Sequence, residues 1–599
     1  MPVFPPPLAS PGGADARPTA ASFALALAAV ALPTLIAYNL PPSATFFNQA
    51  AAFIGWGAWV VLLAGAPGVT LAGPWRGGLR ALLAAFALLA LAALAAPLWA
   101  ALPWTLALSS LGTIAAAAIV AAAGAALARA GRAAQAFEAL CAALLAAGVI
   151  GALIGILQVF LPQWTDGEWI ARVGNGRAAG NLRQPNHLSS LLLWSLVALA
   201  WLAERRRVGA RAGIALGVLL LAGVVLSASR TGMIGVLLLG AWGLADRRLS
   251  RRARAGLIAA PVVFALLWFG LAALAHDSHH LFGGDAQFDK GDISSSRFAI
   301  WSNTLALIAA HPWLGVGWGE FNFVWTLTTF PGRPVAFFDH THNLPLQFAV
   351  ELGLPLAALV LALLGFALWR AFRAAAQTAD EAAHMTLRTA FVMVLLMVLH
   401  SQLEYPLWYA HFLLPTAFAF GLCLGGPAAA ADARRAPGGS PALIAPHGSR
   451  ALVLGGALVV LGALAALADY ARVVVIFAPP ANAAPLDERI AAGQRSVLFG
   501  HHADYAAVTT PGQLIDPVTA FARAPHYLLD ARLMMAWAYA LAAWGDTDKA
   551  SYLAARLAEF HNDQANAFFA PCDEPPKEGT EPPFQCEPPK RALTYRDFR

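Results

Sequence analysis

Charged residues are scarce in this 599-residue chain, since only 12% of its residues are Asp, Glu, Lys or Arg while 59% are hydrophobic. A soluble domain carries roughly 25% charged residues. A larger hydrophobic core cannot account for so low a fraction of charged residues, so most of the chain is predicted to lie in lipid. The formal charge of +6 does not indicate nucleic-acid binding, because the arginines stand in short clusters between apolar runs rather than on one soluble face.

Cysteine is scarce as well, with four residues in the whole chain. Cys141 and Cys423 fall in apolar runs and are interpreted as packing residues. Cys572 and Cys586 lie in a proline-rich stretch near the C-terminus, and in an oxidising periplasm we predict a disulfide between them.

Several catalytic signatures are missing: the chain has no P-loop, no Gly-x-Ser-x-Gly elbow and no His-Glu-x-x-His motif. We therefore do not expect it to hydrolyse ATP by itself, and we predict neither a metal nor a cofactor. One cluster leaves a metal site open as an alternative, with the residues His276, Asp277, His279 and His280. The Asp-x-Asp pair at Asp546 and Asp548 is interpreted as turn chemistry.

What the chain has instead is a series of apolar runs, and runs of about 20 residues span a bilayer. The first run begins late and has full length, which is unlike a cleaved signal peptide. About thirteen spans are predicted, at 22–40, 47–64, 79–98, 106–127, 137–159, 187–202, 212–226, 233–244, 255–275, 344–369, 390–400, 408–424 and 452–467. The predicted fold class is an all-α polytopic membrane protein with a C-terminal soluble helical domain.

Thirteen spans place every short-loop arginine cluster on one side, which is then the cytoplasm. The clusters are Arg76 and Arg80, Arg129 and Arg132, Arg205 to Arg211, Arg247 to Arg254, Arg370 and Arg373, and Arg434 and Arg435. The expected order is a cytoplasmic tail (1–18), a membrane domain (19–430) with outer loops 163–186 and 276–340, a cytoplasmic linker (431–450), a last transmembrane helix (451–478) and a periplasmic domain (479–599). Within that last domain the sequence predicts one helical hairpin.

Polar side chains gather where the chain meets the outer ends of these spans. They are Arg183, Gln184, Arg230, Arg297, His340, His342, Asn343, Glu404 and Tyr405. Each has an ordinary structural explanation too: an arginine can snorkel to lipid phosphates, an amide can cap a helix, and a histidine or tyrosine can anchor a helix end at the interface. These explanations do not account for arginines, amides and an imidazole on the same side.

Together, these residues supply a base and a phosphate clamp. An imidazole can take a proton near neutral pH, and arginine recognises phosphate with two parallel hydrogen bonds. This is the minimal equipment for displacing a pyrophosphate leaving group.

The run His340-Thr-His-Asn-Leu-Pro-Leu-Gln347 with Glu351 and Gly353 resembles the signature of the O-antigen ligase and polymerase superfamily. Within it, the stretches Gly180-Asn-Leu-Arg-Gln-Pro-Asn-His187 and Glu404-Tyr-Pro-Leu-Trp-Tyr409 are similar to the PglL-type protein O-oligosaccharyltransferases. The resemblance covers roughly residues 20–430. It implies a glycosyltransferase C-like membrane fold in the bacterial inner membrane, with catalysis on the periplasmic side.

The resemblance also implies roles. His342 would be the base that deprotonates an acceptor hydroxyl, and Arg230 and Arg297 would bind the donor pyrophosphate. Substrate-binding positions would be Arg183, Gln184, His340, Asn343, Glu404 and Tyr405. Transfer would run, with inversion and without a metal, from an undecaprenyl-pyrophosphate-linked glycan to Ser or Thr of a pilin-like or periplasmic protein.

Other interpretations stay open at this point. The acceptor could be lipid A–core, the enzyme could polymerise glycan, or the chain could transport a lipid-linked sugar. Transport would predict polar groups along a path through the membrane, whereas here they cluster on one side. The choice between His340 and His342 as the base rests on the resemblance.

Overall fold

The computed structural model describes residues 17–71, 75, 77–174, 176–284, 293–378, 381–426, 448–510, 515–573 and 581–599. In this part of the chain the regular secondary structure is helical, without strands. The principal helices are α1 (Ala20–Leu35), α2 (Phe46–Ala64), α3 (Gly77–Trp99), α4 (Trp104–Arg129), α5 (Ala133–Phe160), α6 (Pro185–Glu204), α7 (Ala210–Leu226), α8 (Arg230–Ala245), α9 (Arg251–Asp277), α10 (Ile293–Ala310), α11 (Phe321–Leu327), α12 (Leu344–Gln377), α13 (Glu381–His400), α14 (Ala410–Leu424), α15 (Arg450–Phe477), α16 (Leu486–Gly493), α17 (Gly500–Thr509), α18 (Pro517–Phe521), α19 (Ala531–Ala543) and α20 (Thr547–Ala558).

Thirteen of these helices correspond one to one with the predicted spans. Nine helices in the described residues are long and apolar enough to cross a membrane, and four shorter apolar helices accompany them, namely α1, α7, α8 and α14. The protein is therefore an all-α polytopic membrane protein, as predicted from its composition. Helices α12 and α15 extend about eight and ten residues beyond their predicted ends. Two further differences of more than a few residues occur at the end of α1 and at the beginning of α13.

Polar contacts explain both differences. Helix α1 ends at Leu35 rather than near residue 40, because the Asn48 amide donates hydrogen bonds to the carbonyls of Pro33 and Ile36 at 2.8 and 2.9 Å. Helix α13 begins about nine residues early, in a polar stretch that apolar patterning passes over. Its Arg388 forms an ion pair with Asp246 at 2.6 Å.

Helix α12 is broken where the outer loop packs against it. Gly353 has φ +75°, a backbone conformation that costs residues with a Cβ. The loop segment before α11 supplies replacement hydrogen bonds: Val316 N–H donates to the Val350 carbonyl at 2.8 Å, and Leu354 N–H donates to the Pro312 carbonyl at 2.7 Å. A Cβ on Gly353 would lie 2.3 Å from the Trp313 carbonyl oxygen, so this close approach requires glycine. Such broken helices occur in membrane proteins only where protein covers the freed backbone.

The outer loop and the C-terminal segment share one hydrophobic core, although the sequence suggested two separate units. Side chains of α10 and α11 cluster with those of α17, α19 and α20. All seven residues of α11 are buried. We use the name loop–tail module for two parts of the chain taken together. The first is α10 and α11 with the connection between them, and the second is α16–α20 with the connections among them.

The C-terminal segment contains the predicted hairpin, formed by α19 and α20. The Asp546 carboxylate caps α20 by accepting from Lys549 N–H at 3.2 Å, and Arg591 bridges Asp546 and Asp548 at 3.0 and 2.8 Å. The Asp-x-Asp pair therefore serves the turn, as its sequence setting indicated. A disulfide joins Cys572 and Cys586, while Cys141 and Cys423 are buried free thiols.

Some predictions fall on residues outside those described. They concern the N-terminal tail up to residue 16, Arg76, and most of the linker at 431–450 with Arg434 and Arg435.

Candidate active site

His342 lies at the end of the outer loop, one residue before the cap of α12. Asn343 caps this helix by accepting a hydrogen bond from Leu346 N–H at 3.1 Å. The backbone of His342 has φ +55°, a left-handed conformation that is uncommon for a residue other than glycine. Its neighbour Thr341 is fixed from both sides, because its N–H donates to the Gln347 side chain at 2.8 Å and its carbonyl accepts from Trp301 Nε1 at 2.9 Å. The loop thus holds the imidazole in a strained, well-defined position.

The carboxylate of Glu404 joins His342 to Arg297. Oε2 of Glu404 lies 2.8 Å from His342 Nδ1, and Oε1 lies 2.8 Å from Arg297 Nη2. The three groups come from the end of the outer loop, from α10 and from the connection between α13 and α14. Glu404 is only 8% exposed at its side chain, whereas His342 and Arg297 are 15% and 24% exposed. The imidazole and the guanidinium therefore remain accessible while the carboxylate between them is covered.

Glu404 remains ionised in this setting. Burial by itself would raise the pKa of its carboxyl group, but the hydrogen bond and the electrostatic interaction with His342, together with the positive charge of Arg297, outweigh burial and lower the pKa. A carboxylate bound at Nδ1 selects the imidazole tautomer with a proton on that nitrogen. The lone pair of His342 then lies on Nε2, where a general base needs it.

A short polar network from α6 and α8 supports Glu404. The Asn186 amide donates to Glu404 Oε1 at 3.0 Å, and the Ser229 hydroxyl donates to Asn186 Oδ1 at 2.7 Å. Ser229 in turn caps α8 by accepting from Gly232 N–H at 3.0 Å. Asn186 lies in the Gly180–His187 stretch but was given no role of its own, and its contact with Glu404, 218 residues away, could not be seen in the sequence.

Three arginines stand around this network, and we call Arg177, Arg230 and Arg297 the arginine cluster. Arg230 is the first residue of α8 and is exposed. Arg177 donates to the carbonyls of Ser227 and Ala228 at 3.1 and 3.3 Å, just before that helix. Burial lowers the pKa of Arg177, and the positive charges of Arg230 and Arg297 lower it further, although Glu404 opposes this. Like charges held together at a helix N-terminus favour an anionic ligand such as a phosphate.

Arg177 was missed by the sequence analysis. It stands in the outer loop after Gly176, away from any recognised motif, and its only sequence signal was a basic residue in an outward-facing loop. The structure brings it to Arg230 through backbone contacts that no residue spacing reveals.

His340 belongs to a separate aromatic group beside the base. Its ring stacks on Tyr405 with centroids 4.3 Å apart and meets Trp408 edge-on at 4.6 Å, while Nδ1 lies 3.1 Å from Asp339. Tyr405 also touches His342, with ring centroids 5.0 Å apart. Burial and the negative charge of Asp339 raise the pKa of Tyr405, so its hydroxyl stays protonated. Asp339 is a second residue that the sequence analysis did not select.

Two of the predicted substrate-binding residues form hydrogen bonds with the backbone. Arg183 donates to the Ala37 carbonyl, at the end of α1. Gln184 caps α6 by accepting from His187 N–H at 2.8 Å. Six of the other seven predicted site residues form one contiguous group, namely His340, His342, Asn343, Arg297, Glu404 and Tyr405. The seventh, Arg230, follows Ser229 at the start of α8.

The alternative of a metal site at the histidine cluster finds no geometric support in the described residues. His280 places Nε2 against the Phe160 carbonyl at 2.7 Å. Throughout the described residues, no three His, Cys, Asp or Glu side chains come together as a set of metal ligands.

Asn322 of α11 links the base-bearing loop to the C-terminal segment. Its amide donates to the Phe338 carbonyl at 2.9 Å, and its side-chain oxygen accepts from Leu529 N–H at 2.7 Å. The Phe338 ring meets His342 edge-on at 5.4 Å. The C-terminal segment therefore helps to place the loop that carries His342.

Three family models match this chain in the regions that build the site. One described as an O-antigen ligase matches residues 215–361, which include Arg230, Arg297 and His342. One described as the C-terminal part of a virulence factor membrane-bound polymerase matches residues 388–571, which include Glu404. One described as a protein glycosylation ligase matches residues 178–203. The chain belongs to the superfamily of O-antigen ligases and polymerases.

Two relatives from Acinetobacter baylyi narrow the class further. The chain is 27% identical to a ComP-specific O-oligosaccharyltransferase over 41% of its own length and 44% of that protein. It is 25% identical to a general O-oligosaccharyltransferase over 47% of its length and 49% of that protein. The matched region of this chain thus spans about half the length of these relatives. With the protein glycosylation match, these similarities place the chain in the PglL-type branch of the superfamily.

Proposed function

We propose that the protein transfers a preassembled glycan from undecaprenyl pyrophosphate to Ser or Thr hydroxyls of pilin-like or periplasmic proteins. The observation that carries this proposal is the bridging of His342 and Arg297 by Glu404, which sets a base beside a phosphate-binding cation. The names of both relatives support transfer of an oligosaccharide to oxygen.

In the proposed reaction, Nε2 of His342 takes the proton of the acceptor hydroxyl as its oxygen attacks the anomeric carbon of the glycan. Glu404 holds the Nδ1 proton and stabilises the imidazolium that forms. The bond from the anomeric carbon to the pyrophosphate oxygen breaks, and its electron pair leaves with the pyrophosphate. The arginine cluster meets that charge. Attack from the face opposite the pyrophosphate inverts the anomeric carbon.

We propose a topology in the bacterial inner membrane with the N-terminus in the cytoplasm and the loop–tail module in the periplasm. The contacts of the site support it. If thirteen helices cross in turn, the segments that carry Arg177, Ser229, His342 and Glu404 all emerge on the side opposite the arginine-rich short loops. These four segments touch one another through the network around Glu404.

The test is glycan transfer in a reconstituted system with the purified protein, an undecaprenyl-pyrophosphate-linked glycan and EDTA. The acceptor is a pilin-type protein in one arm and lipid A–core in the other, and each arm is run with wild type and His342→Ala. Transfer to protein that persists in EDTA and is lost in the variant supports the proposal. Transfer to lipid A–core alone would reassign the acceptor, and full activity of His342→Ala would refute the role of the base.

A further inference from the structure

A cavity of about 780 Å³ opens beside the base. Its lower part lies between α3, α4 and α12 and is lined by apolar side chains such as Phe86, Leu89 and Leu364. Its upper part is bounded by the end of the outer loop, by the connection between α13 and α14, and by the loop–tail module. Pockets of this size commonly hold a ligand segment.

The upper part of the cavity is aromatic and adjoins the catalytic group. It is lined by His340, Tyr405 and Trp408, which contact one another, and by Tyr527 of the loop–tail module, which is 46% exposed. Tyr405 lines the cavity and its ring contacts His342, so a single side chain separates the upper end of the cavity from this imidazole. An occupant of the cavity can therefore present a group to His342.

The charge of the cavity is opposite in sign to that of the arginine cluster. Among the described residues that line it there is no lysine or arginine, and its carboxylates are Asp339 and Glu351. Glu351 is buried and accepts a hydrogen bond from Gln347 at 3.0 Å. Asp339 is 46% exposed at its side chain. A phosphate group would find no lysine or arginine here and would be repelled by Asp339, whereas a basic group would be attracted.

The two substrates therefore have separate approaches to His342. The pyrophosphate of the donor suits the arginine cluster, none of whose members lines the cavity. The acceptor must bring a hydroxyl to the same imidazole from another direction. A cavity that is aromatic, contains an exposed carboxylate and lacks cations fits an acceptor that is itself free of phosphate, which a polypeptide is and lipid A–core is not.

We propose that this cavity receives the acceptor polypeptide and that Asp339 selects a basic residue close to the modified Ser or Thr. Tyr527 and Trp408 contact the apolar residues of the same segment, so the loop–tail module forms part of the acceptor site. This inference rests on the proposed function, since it specifies the acceptor of that reaction.

A charge exchange between enzyme and peptide tests the inference. The full chain in nanodiscs, with an undecaprenyl-pyrophosphate-linked glycan, is given a synthetic serine peptide flanked by lysines or the same peptide flanked by glutamates. In wild type, kcat/KM should favour the lysine peptide. In Asp339→Lys the ratio of the two kcat/KM values should fall by about tenfold or more. The matched control is Asp487→Lys, an exposed acid of the loop–tail module, which should leave the ratio as in wild type.

The ratio is informative even if a variant weakens the site, because general damage lowers transfer to both peptides alike. An unchanged ratio in Asp339→Lys would overturn the inference, and so would a change confined to the KM of the donor, since the cavity would then hold the donor chain. If wild type transfers glycan to no acceptor, the proposed function fails, and that result is visible before any variant is compared.

Discussion

The protein contains two histidine–glutamate pairs of the same bond length, one at the end of the outer loop and one inside the loop–tail module. His342 Nδ1 lies 2.8 Å from Glu404, and His526 Nδ1 lies 2.8 Å from Glu320. The side chains of the first pair are 15% and 8% exposed, while those of the second are 2% and 0% exposed. Bond geometry therefore cannot distinguish the two pairs, and their surroundings must.

The surroundings differ in what they allow the imidazole to do. His342 faces the accessible side of the site, next to an arginine that shares its carboxylate. His526 stacks on Phe323 with ring centroids 4.5 Å apart, and Arg599 approaches the same glutamate at 3.7 Å. His526 borders the cavity beside the site, but its side chain is almost fully covered and joins two chain segments. A cation lies near each glutamate, so accessibility distinguishes the two pairs better than the histidine–carboxylate contact does.

The largest expected effect is a loss of glycan-transfer activity when the histidine of the first pair is replaced. In His342→Gln we expect kcat for glycan transfer to fall by about 10²–10⁴-fold, because the general base is lost. The thermal unfolding of the protein should change little, since this side chain is partly exposed. His340→Gln is the comparison variant: because His340 lines the cavity, it should mainly raise the KM of the acceptor and leave kcat near the wild-type value. Loss of transfer in His340→Gln, with activity kept in His342→Gln, would assign the base to the other histidine.

The second prediction concerns stability. In His526→Ala, Glu320 loses its closest partner inside the core, which should destabilise the loop–tail module by about 3–5 kcal/mol. Thermal unfolding and protease sensitivity of this module report the effect. His561→Ala, at an exposed histidine of the same module, should have little influence. Normal stability of His526→Ala together with abolished chemistry would contradict the contrast between the pairs.

The third prediction tests the charge of Glu404. In Glu404→Gln the carboxylate between His342 and Arg297 is lost, and we expect kcat to fall by on the order of 10²-fold. Because the folded pKa of Glu404 is lowered, its ionised form and its contribution to stability are present at neutral pH. Both should be lost only as the pH falls below the ordinary value near 4.5. A pH profile of thermal stability should show this acid limb in wild type and not in the variant, whereas the acid limb of kcat also contains the protonation of the general base.

Glu559→Gln is the control for this experiment, because Glu559 also pairs with an arginine, Arg333, at 3.0 Å, but in the loop–tail module. It should keep the acid limb. An identical pH profile in wild type and Glu404→Gln would rule out a role for the charge.

The smallest expected effect comes from a buried carboxylate whose pKa moves in the opposite direction. Burial raises the pKa of Asp504 to about 6, although Arg523 and Gln494 bind it at 2.8 and 3.1 Å. Between about pH 4 and pH 6 the folded state holds a proton that the unfolded state releases. The stability of the loop–tail module should therefore fall by on the order of 2 kcal/mol as the pH rises through that window.

Unfolding of the module at several pH values checks this, with Asp504→Asn expected to remove the slope and Asp487→Asn to keep it. A slope that persists in Asp504→Asn would have to come from another group.

Patterning of the sequence predicts the membrane part well, because a helix in lipid needs an apolar run of a set length. The thirteen apolar helices follow from it, and the extra turns of α13 are missed because Arg388 is stabilised by a distant partner, Asp246. The pairing of Arg230 and Arg297 with His342 came from resemblance to a family. The bridging role of Glu404 was not foreseen, since its partners stand 62 and 107 residues away along the chain.

Contacts of the C-terminal segment were the least predictable. Its hairpin is visible in the sequence, but nothing in the seven residues of α11 indicates which element buries them. Asn322 and Leu529 meet across 207 residues. The hydrogen bonds of Arg183 and Gln184 with the backbone of Ala37 and His187 were not foreseen either, and their substrate-binding roles stay a prediction.

The burial of α11 has a consequence for how the protein is made. The residues that cover this helix follow it by more than 200 positions, as its contacts with Leu529 and Tyr552 show. At a synthesis rate of roughly 5–20 residues per second, tens of seconds pass before they emerge. During that time the aromatic side chains of α11 are not yet buried by the C-terminal segment. The loop that carries His342 also lacks the contacts through which that segment holds it in place. The nascent chain thus inserts its helices long before it can become competent for chemistry, and a stalled or shortened translation product would be membrane-bound yet inactive.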